Sequence, residues 1–245
     1  MSGAAPAKLV FLQPGAAPNA FPDIDHACSE PNGLLAAGGD LSEARLLYAY
    51  RHGIFPWYSE GEPILWWSPE PRCVLRPGEY HVARRLRRWL ASSTFKVRFN
   101  TVFDQIVAGC AEQRFGQDGT WITAEMMAAY RQLHLSGWAH SVEIWSGSAV
   151  VGGMYGLAIG KVFFGESMFS RETNASKLAM FALCRQLQAR SFALLDCQVV
   201  SPHLLSLGAI SMPRSEFRSI LMNACASASP LTDLPRVAVA PKSLI

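Results

Sequence analysis

Two acids and an amide interrupt runs of apolar residues that otherwise read as buried strands. Phe192-Ala193-Leu194-Leu195 leads into Asp196-Cys197-Gln198 before Val199-Val200, and Val162-Phe163-Phe164-Gly165-Glu166-Ser167-Met168-Phe169 carries Glu166 in its middle. Side chains alternate along a strand, so Asp196 and Gln198 are expected on one face and Cys197 on the other. By the same rule Glu166 shares a face with Phe164 and Met168, opposite Phe163, Gly165 and Ser167. Burying an ionised carboxylate costs roughly several kcal/mol unless partners satisfy it, so this placement marks a site; the plainer alternative is an Asp that caps a helix or pairs with an Arg. If both acids approach one site, their like charges raise at least one pKa; the alternative is two separate surface acids.

The whole chain bounds what such a site can serve. Its 245 residues, half of them hydrophobic, can bury a large core in one domain or two unequal ones. Seven Trp and thirteen Phe leave aromatics free to line a pocket or stack on bases. A formal charge of +3 permits a nucleic-acid partner without requiring one. Cys28, Cys73, Cys110, Cys184, Cys197 and Cys225 are scattered, with no CxxC pair and no Cys/His cluster, so neither a metal site nor a disulfide framework is expected. The start, MSGAAPAKLVFLQPG, has too short an apolar stretch for a secretory signal and no run is long enough to span a bilayer, which reads as a soluble, cytoplasmic protein with no membrane partner.

Residues 1–32, rich in Pro, Ala, Asp and Asn, read as an extended segment over the surface. Asp40 or Ser42 is placed to cap a short helix burying Leu46, Leu47, Ala49 and Tyr50, with Gly53 at its end. Residues 55–69, aromatic and Pro-rich, read as a rigid wall. Over 81–93, helical spacing gathers Val82, Leu86, Trp89 and Leu90 on one face and turns Arg84, Arg85, Arg87 and Arg88 away from it. Helices are expected over 104–110 and 124–135, the latter capped by Thr123. Turns at Ser146-Gly147-Ser148 and Gly160-Lys161 then imply a three-stranded antiparallel meander. Asn174 is placed to cap a nearly all-apolar helix, after which come the Asp196 strand and a short helix over 202–207; the tail after Asn223 reads as loosely held. Meander, helix, strand, helix is the order of an acetyltransferase-like α+β core. The division expected is 1–72 for a small N-terminal domain and 73–245 for the catalytic one.

The strings GLLAAGGDLS, HGIFPWY, ILWWSPEPR, TWIT, HSVEIW, VGGMYG, FFGESMFSRETNASK, LLDCQ and SLGA, in this order over about residues 32–212, resemble the bacterial leucyl/phenylalanyl-tRNA protein transferase family. The resemblance implies a small N-terminal domain packed on an acetyltransferase-like C-terminal domain. It implies transfer of Leu, also Phe or Met, from aminoacyl-tRNA to the N-terminal Arg or Lys of acceptor proteins, which marks them for N-end-rule degradation. No metal or organic cofactor is expected, because the aminoacyl ester already carries the activation. An acyl-coenzyme A N-acetyltransferase is the enzymatic alternative. It is disfavoured because the junction Ser170-Arg171-Glu172-Thr173-Asn174-Ala175-Ser176 lacks the glycines that cradle a pyrophosphate. A non-catalytic RNA-binding module is the other alternative.

By resemblance Asp196 and Gln198 are the catalytic pair, with Gln198 orienting the attacking amine, Asp196 stabilising charge, and Glu166 holding the cationic end of the acceptor. Trp57 and Phe163 match positions that line the aminoacyl-adenosine pocket, joined by Trp121, Tyr130, Met154 and Leu195; for each the alternative is ordinary core packing. Leu183 and Leu187 stand where other members carry aromatics, a departure that enlarges the pocket. The ridge Arg84, Arg85, Arg87 and Arg88 is the expected contact to the tRNA backbone, and a solvated helix face is its alternative.

Overall fold

The computed structural model describes residues 9–112, 122–226, 229–235 and 238–245. A four-stranded sheet is built from β1 (Val10–Leu12), β2 (Leu34–Gly38), β3 (Phe55–Pro56) and β4 (Leu65–Trp67) in the order β1-β2-β4-β3, with helix α1 (Glu43–Arg51) between β2 and β3. The segment before Asn32, expected to lie extended over the surface, is tied into the fold where it is described: β1 pairs in parallel with β2, and a 3-10 turn at Ile24–His26 buries Ile24. Two short strands likewise organise the aromatic wall, in which Trp66 is fully buried and its indole N–H donates to Gly38 O at 2.9 Å.

A seven-stranded sheet follows. In chain order its elements are β5 (Arg72–Leu75), α2 (Arg84–Ser92), β6 (Lys96–Phe99), α3 (Phe103–Ala111), α4 (Ala124–Leu135), β7 (Ala139–Ser146), β8 (Ala149–Ile159), β9 (Val162–Ser170), α5 (Ala175–Ala189), β10 (Leu194–Gln198), α6 (Pro202–Ser206), β11 (Ile210–Met212) and α7 (Arg214–Ala224). The sheet order is β11-β5-β10-β9-β8-β7-β6, and β9 and β10 run parallel. This is a mixed α+β architecture in which the meander β7-β8-β9, the helix α5 and the strand β10 succeed one another as the sequence predicts. Strands β5, β6 and β11 and helix α7 were not foreseen. Among the described residues no helix is long and apolar enough to cross a membrane.

Thr123 caps α4 as expected, its hydroxyl accepting from Met126 N at 3.2 Å. Asn174 does not cap α5: it sits at φ 70° with no side-chain capping bond, and the Ser170 hydroxyl accepts from Ser176 N instead. The tail is also held more firmly than its composition suggests, since Val239 exchanges two backbone hydrogen bonds with Val97 and Leu234 and Leu244 are buried.

Two apolar clusters lie against the large sheet. One gathers α1, α3, α4 and α7 with Tyr155 and Phe164; the other gathers α2 and α5 with Met154, Phe163 and Leu195. Leu86 and Leu90 bury the inner face of α2, while Arg84, Arg85, Arg87 and Arg88 are all exposed.

Candidate active site

Asp196 is fully buried, and its neighbour is an equally buried arginine that the sequence reading did not single out. Arg72 of β5 donates from Nε to Asp196 Oδ1 at 2.8 Å and from Nη2 to Oδ2 at 2.7 Å, while Nη1 donates to Gly53 O at 3.0 Å. The Phe55 and Phe217 rings each lie 4.8 Å from the guanidinium carbon. The plainer alternative raised for Asp196, an ion pair with Arg, is thus what the structure shows. The signal for it was a lone Arg opening the apolar run Arg72-Cys73-Val74-Leu75.

That pair fixes Gln198. The ladder between β10 and β5 shifts register between Asp196 and Gln198, leaving Cys197 as the extra residue, and Gln198 adopts φ 62°. A non-glycine residue in the left-handed region is strained by the order of 1 kcal/mol and persists only where its surroundings hold it. Asp196 Oδ1 supplies the hold by accepting Gln198 N at 2.9 Å. The expected shared face survives the bulge, because the Gln198 side chain still turns away from the cluster that receives Cys197.

Glu166 is the meeting point. Strand β9 bulges opposite Tyr155 and Gly156, and Glu166 is the inserted residue. A Cβ on Gly156 would stand 2.1 Å from Phe164 O, so the bulge needs glycine there. The bulge also corrects the alternation: Met168 packs in the α5-side cluster, whereas Glu166 reaches the tyrosines of the other. Its Oε1 accepts from Gln198 Nε2 at 3.0 Å and its Oε2 from the Tyr130 hydroxyl at 2.7 Å, while Tyr50 and Tyr130 hydroxyls lie 2.5 Å apart. Burial pushes Glu166 up to about 7, the tyrosine hydroxyls oppose the rise, and the Asp196 charge adds to it. Desolvation, not the pairing of two acids, is the main cause, since Asp196 is compensated by Arg72.

Glu166 lines two cavities. One, of about 630 Å³, is bounded by Glu112, Arg171, Ser176, Ser201 and His203; the other, of about 180 Å³, by Phe55, Trp57, Cys197, Gln198 and Val199. Trp57 is 44% exposed at the smaller one. Phe163, Met154, Leu183, Leu187 and Leu195 come together, but in the closed α5-side core. Met154 Cε and Leu195 Cδ1 reach toward the site, within 3.9 Å of the Cβ position of Gly165, and Phe163 Cε1 stands 2.5 Å from that of Gly156 at the bulge. Tyr130 lies in the opposite cluster and meets the site through its hydroxyl. Trp121 lies outside the described residues.

An α+β protein in which two cavities share one buried carboxylate is suited to bringing two substrates together. Residues 74–222 match the sequence profile described as Leucyl/phenylalanyl-tRNA protein transferase, and residues 39–70 match that of its N-terminal domain. The Leucyl/phenylalanyl-tRNA--protein transferase of Azotobacter vinelandii is 55% identical over 203 residues, 83% of this chain and 90% of that one. That of Hahella chejuensis is 56% identical over 201 residues, 82% of this chain and 86% of that one. The chain belongs to the leucyl/phenylalanyl-tRNA protein transferase family. A solved GCN5-related N-acetyltransferase from Kribbella flavida is a looser likeness, with a TM-score of 0.38 and 13% identity over 67% of this chain and 58% of that one.

Two stability measurements probe this arrangement. Arg72→Met leaves Asp196 charged and unpaired in the interior and is expected to cost about 3–5 kcal/mol in urea denaturation, most of which the double variant with Asp196→Leu recovers. Glu166 holds its proton in the folded chain up to about pH 7 but releases it near 4.5 when unfolded, so its contribution is complete at low pH and is lost as pH rises through about 7. Glu166→Gln is expected to flatten that decline, about 3 kcal/mol between pH 4.5 and 7.

Proposed function

We propose that this protein transfers Leu, and also Phe or Met, from the 3′ end of its tRNA to the N-terminal Arg or Lys of acceptor proteins, in the cytoplasm, marking them for N-end-rule degradation. The observation that carries the reading is the position of Glu166 on the walls of both cavities, beside Gln198, in a chain of this family. The amine nitrogen attacks the ester carbonyl, the bond to the ribose oxygen breaks, and the proton lost by nitrogen ends on that oxygen. An α-amine with a pKa of about 8 is partly neutral near pH 7, so placement supplies most of the rate; holding the reactants in attack geometry is worth roughly 7–11 kcal/mol.

Gln198 and Glu166 are the catalytic residues in this reading, and Asp196 acts through Gln198 as a positioning residue. Both Asp196 oxygens are engaged by Arg72, so Asp196 sets the strand rather than taking the proton. The Gln198 amide nitrogen faces Glu166, which once ionised is acceptor-only, and this leaves the amide oxygen to receive an N–H of the amine. Glu166 holds a cationic group of the acceptor. The exposed face of Trp57 stacks on the terminal adenine of the donor. Met154 and Leu195, whose ends approach Gly165, are the part of the closed core placed to read the aminoacyl side chain, with Phe163, Leu183 and Leu187 packed behind them, at about 1–3 kcal/mol per methylene. Arg84, Arg85, Arg87 and Arg88, all exposed on α2, contact tRNA phosphates without reading sequence.

Incubation with Leu-tRNA and a peptide beginning with Arg is expected to place Leu on the peptide's N-terminus without coenzyme A; absence of product, or dependence on coenzyme A, overturns the reading. Reversal of two ridge charges, Arg84→Glu with Arg88→Glu, is expected to weaken tRNA binding and to reduce its salt slope by about 1–2. Filter binding across a salt series checks this, and unchanged affinity would return the ridge to a solvated helix face.

A further inference from the structure

Three tyrosines converge on Glu166 from inside an apolar cluster. Tyr50, Tyr130 and Tyr155 are fully buried, and burial pushes all three phenols well above their ordinary range, so each is a neutral hydroxyl with one proton to give. Tyr130 gives its proton to Glu166 Oε2. With Glu166 ionised, the contact of Tyr130 with Tyr50, at 2.5 Å, runs the other way, Tyr50 donating to the Tyr130 oxygen, and the Tyr50 hydroxyl also faces Glu166 closely enough to help hold its charge. The result is a one-directional chain from α1 through α4 to β9, ending on a carboxylate whose other oxygen orients Gln198. Each hydroxyl in such a chain polarises the next, which strengthens the bond to the charged end.

We propose that Tyr50 is a positioning residue for the transfer: through Tyr130 it holds Glu166 as an oriented carboxylate, and through Glu166 it holds the Gln198 amide with its oxygen toward the attacking amine. The inference rests on the reading above for its substrates, but not for its chemistry. If Glu166 takes a proton its hydroxyl becomes a donor, the Gln198 amide loses the acceptor that fixes it, and the site loses the charge that receives a cation. The groups facing Glu166 are Tyr50 from α1, Tyr130 from α4, Tyr155 from β8, Asp196 from β10 and Arg72 from β5, with Glu112, Arg171 and His203 along the larger cavity. Arg72 and the tyrosines that donate toward it favour the charged form, while burial and Asp196 oppose it. Tyr155 differs from the other two: its hydroxyl is buried without a hydrogen-bond partner among the described residues.

Tyr50→Phe is the discriminating variant, because it keeps the ring packed against Phe164, 5.2 Å away between centroids, and removes only the hydroxyl. The ratio of variant to wild-type kcat/KM, in which the titration of the substrates cancels, is expected to fall about fivefold near pH 6.5 and to return toward one above pH 9. The acid limb of the profile moves up by about half to one pH unit. Loss of packing alone would lower the ratio equally at every pH. Tyr130→Phe, which cuts the same chain one step nearer the carboxylate, is expected to move the limb at least as far, and it supplies the test should Tyr50→Phe not fold.

Carbon-13 NMR of Glu-labelled protein reads the same titration without any turnover, with Glu166→Gln identifying the resonance. The Glu166 carboxyl is expected to titrate at higher pH in both tyrosine variants than in the wild type. A pH-independent ratio, or carboxyl titrations unchanged in both variants, overturns the proposal. If the wild-type protein fails to transfer Leu while the carboxyl titration shifts as stated, the substrate reading falls and the relay stands.

Discussion

The buried pair between Arg72 and Asp196 is the constraint on which the rest of the site depends. It ties β5 to β10, takes in the carbonyl of Gly53 after α1, and is clasped between Phe55 of the small sheet and Phe217 of α7. Two charges taken out of water gain little net stability over apolar residues of the same shape, yet removing one of them is costly. Such a pair is therefore better understood as a fastening than as a source of stability. Everything it touches must be in place before either charge is satisfied. The small sheet, the large sheet and the C-terminal helix are thereby placed together around one carboxylate.

From that fastening the geometry of the site follows in steps. Parallel pairing of β10 with β9 runs from Leu194 opposite Val162 to Asp196 opposite Phe164. Beyond it, β9 carries the extra Glu166 and β10 the extra Cys197, so the backbone ladder gives way to a side-chain bond from Gln198 to Glu166. Bulges re-aim side chains where regular strands would bury them. Here they bring an amide and a carboxylate from two central strands to the walls of two cavities. A left-handed Gln198 is the conformational strain that accompanies this, and the bond from its N–H to Asp196 offsets it.

Much of this was legible in the sequence for a simple reason: helical and strand periodicities over 124–135 and 139–170 are long, and turn residues punctuate them. Asp196, Gln198 and Glu166 stood out because polar groups inside apolar runs are costly. Short strands carry too few residues to show a period, which is why β5, β6 and β11 escaped notice. Arg72 was hidden for a related reason, since its one local signal, a lone Arg opening an apolar run, is shared by surface arginines at the start of a short strand. Alternation also failed at Met168, because a bulge changes which face every later residue takes and leaves no mark in composition. Tyr50 was read correctly as a buried face of α1, but a hydroxyl's partner eighty residues away is a property of the assembled fold.

The polar chain that begins at Tyr50 connects the small N-terminal part to Glu166, so that this part does more than pack beside the site. Hydroxyls buried in an apolar cluster are costly unless satisfied, as Tyr155 shows by remaining without a partner among the described residues, and the pair Tyr50 and Tyr130 is satisfied because its run of donors ends on an acceptor. Glu166 is that acceptor, and it is reached from α1 by way of α4. Asp196 is engaged elsewhere: its oxygens accept from Arg72 and from the Gln198 backbone N–H. The two carboxylates therefore divide the work by environment. One is neutralised in place by a guanidinium and shapes the backbone; the other is held by neutral donors at the edge of open space, on the walls of two cavities.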